Sequence, residues 1–158
     1  MITPFLADNP IYTSKEGLEK LKEELRGLKT VRRKEAAARI EKAKELGDLS
    51  ENAEYAEAKD ELAFIEGRII ELEDYINRAI VFDHEAGDKV SLGSKVKVKA
   101  KDKEKEYTIV GPNEADPASG KISNETPLAK SLLGKKAGDE VEVKTPSGQV
   151  AYKILSVE

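Results

Sequence analysis

Apolar residues fall at Leu18, Leu21, Leu25 and Leu28, and again at Ala36, Ile40 and Ala43. Steps of three and four draw a single stripe along a helix, so the pattern predicts one long helix with a break at Arg32. "TSKE" at 13–16 reads as its capping-box start, with Thr13 as the cap and Glu16 three residues on, and Gly47 reads as its stop. A second stretch is more regular. Tyr55, Ala58, Leu62, Ile65, Ile69, Leu72 and Ile76 follow a 3-4-3-4-3-4 spacing, which is a coiled-coil seam.

The two seams fit one another if the chain folds back near residue 49. The residue numbers of Ala43 and Tyr55, of Ile40 and Ala58, and of Ala36 and Leu62 each add to 98. Leu28 with Ile69, Leu25 with Leu72 and Leu21 with Ile76 each add to 97. The drift of one residue coincides with the break at Arg32, as a stutter would produce. Residues 13–80 therefore read as an antiparallel helical hairpin. A helix from Ser14 to Leu46 is about 50 Å long at 1.5 Å per residue. Such a rod has little core and suits a probe or spacer better than a substrate enclosure.

The period changes after "VFDHEAGDKVSLG", near residues 82–90. Val96, Val98 and Ala100 alternate with Lys95, Lys97, Lys99 and Lys101, so one face of this strand is wet. The lysines read as an exposed sheet edge protected from aggregation. Residues 107–110 supply another apolar run. A short helix starts at Pro127 and stops at Gly134, and a hairpin turns at Pro146-Ser147-Gly148. The fold class is α+β. The expected domains are 1–82, a coiled-coil hairpin with its tip near 47–55, and 83–158, a small α+β domain.

Composition narrows the chemistry. Among 158 residues, 37% are charged and 5% aromatic, which suits solvated helices. The absence of Cys excludes disulfides and thiolate metal sites. No apolar run approaches the roughly 20 residues of a membrane span, and "MITPFLADNPIYT" lacks the pattern of a secretory signal. A cytoplasmic protein without membrane contact is expected. Residues 1–83 hold 14 Lys/Arg against 19 Asp/Glu, and residues 84–158 hold 13 against 12. The overall net charge of −4 counts against a general nucleic-acid binder, and the balances of the two halves identify no partner.

The turn "GDLSENAEY" at 47–55 carries Asp48, Glu51 and Glu54. Two readings stand side by side. Asp48 could cap the second helix, with Glu51 reaching back from the third position. Alternatively, the carboxylates at the far end of a rod form a working tip. Arg32, Arg33 and Lys34 form a basic run, read either as a solvated patch or as a contact for RNA or a partner. His84 stands at the domain boundary without ligand neighbours and takes no role.

"ELGDLSENAEYAEAKDELAFIEGRI" resembles the tip-and-return segment of the bacterial Gre transcript-cleavage (transcription elongation) factors, its GreA branch most of all. "LKTVRRKE" is similar to a basic segment of the same family's first helix, and "ISNETPLAKSLLGKKAGDEVEVKTPSG" to its C-terminal domain. The likeness covers nearly the whole chain after about the first dozen residues. It implies an FKBP-like second domain that docks at the secondary channel of bacterial RNA polymerase. The coiled coil then enters the channel, and backtracked nascent RNA is cleaved by hydrolysis near its 3′ end. By the same resemblance Asp48 and Glu51 are the catalytic acids, and Asn52 and Tyr55 shape the tip. Arg32 and Arg33 contact RNA or the channel wall, and Ser123, Thr126 and Pro127 belong to the docking loop. It also implies DNA binding as part of transcription.

Two-metal phosphodiester hydrolysis fits that picture. Mg²⁺ keeps several waters and often takes one or two protein carboxylates. Asp48 and Glu51 are then metal ligands only within the polymerase complex, with Mg²⁺ shared with polymerase and none held tightly by the isolated protein. The protein is expected to be a monomer and a cofactor protein of the polymerase, not an enzyme by itself. A non-cleaving secondary-channel binder that modulates or inhibits polymerase is the alternative. A scaffold unrelated to polymerase is a second. After Phe82 the only aromatics are Tyr107 and Tyr152, too few for an isomerase pocket, so isomerase activity is excluded.

Overall fold

The computed structural model describes residues 9–48 and 51–158. Leu49 and Ser50 of the tip motif lie outside the described residues, as do residues 1–8. In chain order the elements are β1 (Ile11–Thr13), α1 (Lys15–Gly27), a π turn (Leu28–Arg32), α2 (Arg33–Lys44), α3 (Ala53–Arg78) and β2 (Ala79–Val81). Then come β3 (Lys95–Ala100), β4 (Lys103–Val110), β5 (Lys121–Ser123), α4 (Pro127–Leu132), β6 (Glu140–Thr145) and β7 (Gly148–Val157). The class is α+β, with packing in two units. Leu18–Arg78 forms one, and the segment ending at Gly17 joins Ala79–Glu158 in the other.

The first unit is a helical hairpin. Leu21, Ala36, Ala43, Ala58, Ile65, Ile69 and Leu72 are buried along its seam. Ala36, Ile65 and Ile69 pack together, with Leu25, Leu28 and Leu62 beside them. The stutter inferred from the seam is a π turn. The Arg33 amide donates to the Leu28 carbonyl, five residues back, so the helix absorbs one extra residue. That insertion is the one-residue drift between the two halves of the seam. Thr30 Oγ1 donates to the Arg26 carbonyl at 2.7 Å inside this turn. Its hydroxyl thereby gives a local partner to a carbonyl where the regular ladder shifts register.

The expected cap at Thr13 is corrected. Thr13 is buried in β1 and pairs in parallel with Val81 of β2. Ser14 caps α1, its Oγ accepting from the Gly17 amide at 3.0 Å. Glu16 is not the reciprocal partner. Glu114, one hundred residues away, accepts from the Ser14 amide at 2.9 Å and from the Ser14 hydroxyl. This completes a capping box with a distant carboxylate. A Cβ on Gly17 would lie 2.7 Å from that carboxylate. A Cβ on Gly111 would lie 1.7 Å from the Tyr12 carbonyl, so Gly111 lets the chain pass against β1.

The second unit holds a five-stranded sheet of order β5-β4-β3-β7-β6, antiparallel except for β4 and β5. Val96, Val98, Ile109 and Ile154 form its core with Ala129 and Leu132 of α4. The expectation that the lysine-rich strand is an edge is overturned, because β3 is the central strand. Its lysines stay in water because only one sheet face is packed. Lys95 pairs with Glu106 at 3.5 Å and Lys97 with Glu104 at 3.2 Å on the open face. The hairpin at Pro146-Ser147-Gly148 forms as expected, with Thr145 opposite Gly148.

Candidate functional site

Among the described residues of the turn between α2 and α3, the Asn52 side chain bridges the two helix ends. Asn52 Oδ1 accepts from the Tyr55 amide at 3.1 Å, which makes Asn52 the N-cap of α3. Its Nδ2 donates to the Ala43 carbonyl at 2.6 Å, in the last turn of α2. One amide therefore supplies a donor to the end of one helix and an acceptor to the start of the next. Ala43 and Ala58 are buried, so small side chains line the seam next to the turn. Gly47 has φ +122°, a backbone region that disfavours other residues.

Asp48 does not cap α3, and Glu51 is not at its third position. The helix begins at Ala53, after both. The cap falls to Asn52 because it immediately precedes the first helical residue. Asp48 and Glu51 are exposed and lie in the turn, outside both helices. Glu54 sits in the first turn of α3, where the helix dipole favours a negative charge. Tyr55 is half-buried, and Lys59 Nζ stands 5.3 Å from its ring centre.

Arg32 and Arg33 of the basic run are engaged across the hairpin. Arg33 Nη2 lies 3.0 Å from Glu66 Oε2, and Arg32 Nη2 lies 3.4 Å from Glu61 Oε1. Arg39 shares Glu61. In the other unit, Ser123, Thr126 and Pro127 come together in one turn. Thr126 Oγ1 accepts from the Ala129 amide at 3.2 Å, capping α4, and donates to the Ser123 carbonyl at 2.8 Å. Ser123 Oγ accepts from the Glu125 amide at 3.1 Å. Pro127 is the exposed first residue of α4, where its missing N–H costs no hydrogen bond.

Sequence reasoning missed Arg68. Its Nε lies 2.7 Å from Glu24 Oε1 and its Nη2 3.1 Å from Glu24 Oε2, a bidentate clamp between α1 and α3. Nη1 reaches Glu71 at 2.9 Å, and Tyr75 donates to the same carboxylate at 2.9 Å. Donating to Glu24, and then to Glu71, raises the Arg68 pKa. The Arg68 bond, then the Tyr75 bond, holds Glu71 below the usual carboxylate range. Glu71 in turn raises Tyr75. The only prior signal was the charge type at positions flanking the seam.

Two family models match the chain. "Transcription elongation factor, N-terminal" covers residues 11–81, and "Transcription elongation factor, GreA/GreB, C-term" covers residues 84–158. The chain belongs to the GreA/GreB family of transcription elongation factors. A relative named transcription elongation factor GreA, from Acetivibrio thermocellus, is 55% identical over 146 residues, 90% of this chain and 92% of the relative. The protein of the same name from Geobacillus kaustophilus is 55% identical over 149 residues, 92% of this chain and 94% of its own length. Among solved structures, the GreA factor homolog 1 protein of Thermus thermophilus is 29% identical, covers 95% of this chain and 99% of its own, and has a TM-score of 0.45. GreA family factors act with RNA polymerase. Among the described residues no helix is long and apolar enough to cross a membrane.

Proposed function

We propose that the hairpin enters the secondary channel of RNA polymerase, docked through the Ser123–Thr126–Pro127 turn, and brings Asp48 and Glu51 to the polymerase active site. There the factor stimulates hydrolytic cleavage of backtracked nascent RNA in the cytoplasm. The observation that carries this reading is the division of labour at the turn. Asn52 closes the turn and caps α3, while Asp48 and Glu51 stand exposed outside both helices. Family membership supplies the polymerase as the partner.

Asp48 and Glu51 fit Mg²⁺ as two hard oxygen donors. When bound, Mg²⁺ supplies an activated water and a positive charge against the phosphate. Two carboxylates leave most of an octahedral shell to other ligands, so the polymerase completes the site. Asn52 fixes the spacing at which the two acids are presented, and Tyr55 supports the start of α3. Arg32 and Arg33 exchange Glu61 and Glu66 for RNA phosphates or the channel wall. The protein is then a monomeric cofactor of the polymerase.

The test compares a stalled, backtracked complex with and without the protein, beside free single-stranded RNA and Mg²⁺. Cleavage confined to the complex, near the RNA 3′ end, supports the shared site. Specific cleavage of free RNA overturns it. Binding to polymerase without any stimulated cleavage makes the protein a modulator instead.

A further inference from the structure

The sheet carries lysines on the wrong side. β4 alternates Lys103, Lys105 and Tyr107 with Glu104 and Glu106, and successive side chains point to opposite faces. Lys105 pairs in register with Val98, and Val98 is 1% exposed in the core. The lysines of β4 therefore share the apolar face, while Glu104 and Glu106 serve Lys97 and Lys95 on the other. A stable sheet face does not call for cations there. α4 is only six residues long, and the sheet beyond it stays open. That open end forms a cleft of about 250 Å³, floored by Val98, walled by Tyr107 and Tyr152, and rimmed by Lys101, Lys103 and Lys105. Among the described residues no carboxylate lines it. Among the described residues none of the three lysines has a carboxylate partner.

We infer that this cleft binds a nucleotide, with Lys101, Lys103 and Lys105 holding the phosphates and Tyr107 and Tyr152 taking the base. Three ammonium groups around one apolar floor match a polyphosphate, whose charge is concentrated at one end of the ligand. Aromatic walls next to them match the flat base at the other end, because every base offers a π-face. The volume is close to the lower end of small-ligand clefts, roughly 300 Å³. The nucleotide is either free or part of a single strand, since both present the same base and phosphate. The site belongs to the sheet unit and the acids to the hairpin unit, and it does not depend on their role.

The experiment titrates the full chain with ATP, with inorganic triphosphate, with a single-stranded oligonucleotide and with an oligo-glutamate peptide, following backbone amide NMR shifts. Shifts centred on Val98, Lys105 and Tyr152 are expected with ATP or the oligonucleotide, and the tighter of the two identifies the source. Lys103→Gln with Lys105→Gln should weaken both about tenfold and should sharpen the salt dependence of neither. Tyr152→Leu should weaken ATP about tenfold, the scale of one base–aromatic stack, and leave inorganic triphosphate unchanged. Unperturbed amide spectra elsewhere establish that the variants fold. The inference is overturned if neither ATP nor the oligonucleotide shifts these residues, if oligo-glutamate binds as tightly as ATP, or if Tyr152→Leu leaves ATP unaffected.

Discussion

Asn52 Nδ2 donates to the carbonyl of Ala43, 2.6 Å away and nine residues earlier in the chain. The bond ties the last turn of α2 to the residue that caps α3. Removing the side chain takes away the cap and the tie together. Asn52→Ala should lower stability by about 0.5–2 kcal/mol, the range of a lost N-cap, read by urea denaturation. Asn52→Asp keeps an acceptor for the Tyr55 amide but sets a carboxylate against the Ala43 carbonyl. It should still cap the helix yet impair stimulated cleavage. Equal cleavage by wild type, Asn52→Ala and Asn52→Asp would remove Asn52 from any positioning role.

Ser14 and Glu114 form a second long-range cap. Ser14→Ala and Glu114→Ala should each destabilise the fold by about 1 kcal/mol. The double variant should cost about as much as either single, which is a coupling of roughly 0.5–1 kcal/mol. Additive losses would mean that the two side chains do not act as one unit. Gly17→Ala should also destabilise, since the added methyl meets the Glu114 carboxylate.

Stability should fall in acid partly through Glu71. Its folded pKa lies below its ordinary value of 4.5, chiefly because Arg68 donates to it. A depressed carboxylate stabilises the fold above its unfolded pKa and loses that contribution as pH drops through the folded value. Arg68→Ala should therefore lower stability near neutral pH and flatten its decline below about pH 4.5. Glu71 is exposed, so the slope should be modest and should shrink in high salt. Parallel pH profiles for wild type and Arg68→Ala would contradict this.

Ser123→Ala with Pro127→Ala should weaken binding to RNA polymerase in a competition assay. Thr126 still caps α4 in this variant, so the sheet domain should remain folded. Unchanged affinity would move the docking surface elsewhere.

The seam of the hairpin was readable because burial in a two-helix rod follows spacing directly. Even the π turn left a trace, as the one-residue drift beside Arg32. The Asn52 cap was harder to read because Asp, Ser and Asn all accept from helix amides. Asp48, the expected cap, and Asn52 carry the same acceptor chemistry, and only the backbone decides which one precedes the helix. Glu114 could not be read at all, since a partner one hundred residues away leaves no local periodicity. The placement of β3 failed for a related reason. Alternating lysines report that one face is wet, but they do not report whether a strand is at the edge or in the centre.

The central claim concerns Asp48 and Glu51, and transcript cleavage in a backtracked polymerase complex tests it most directly. Asp48→Asn and Glu51→Gln are the informative variants, because they keep the shape and remove the charge. Asn52 and not either acid caps α3, so both variants should stay folded and should still compete for polymerase. Each should abolish stimulated cleavage at saturating factor. Wild-type cleavage rates from both variants would contradict the account.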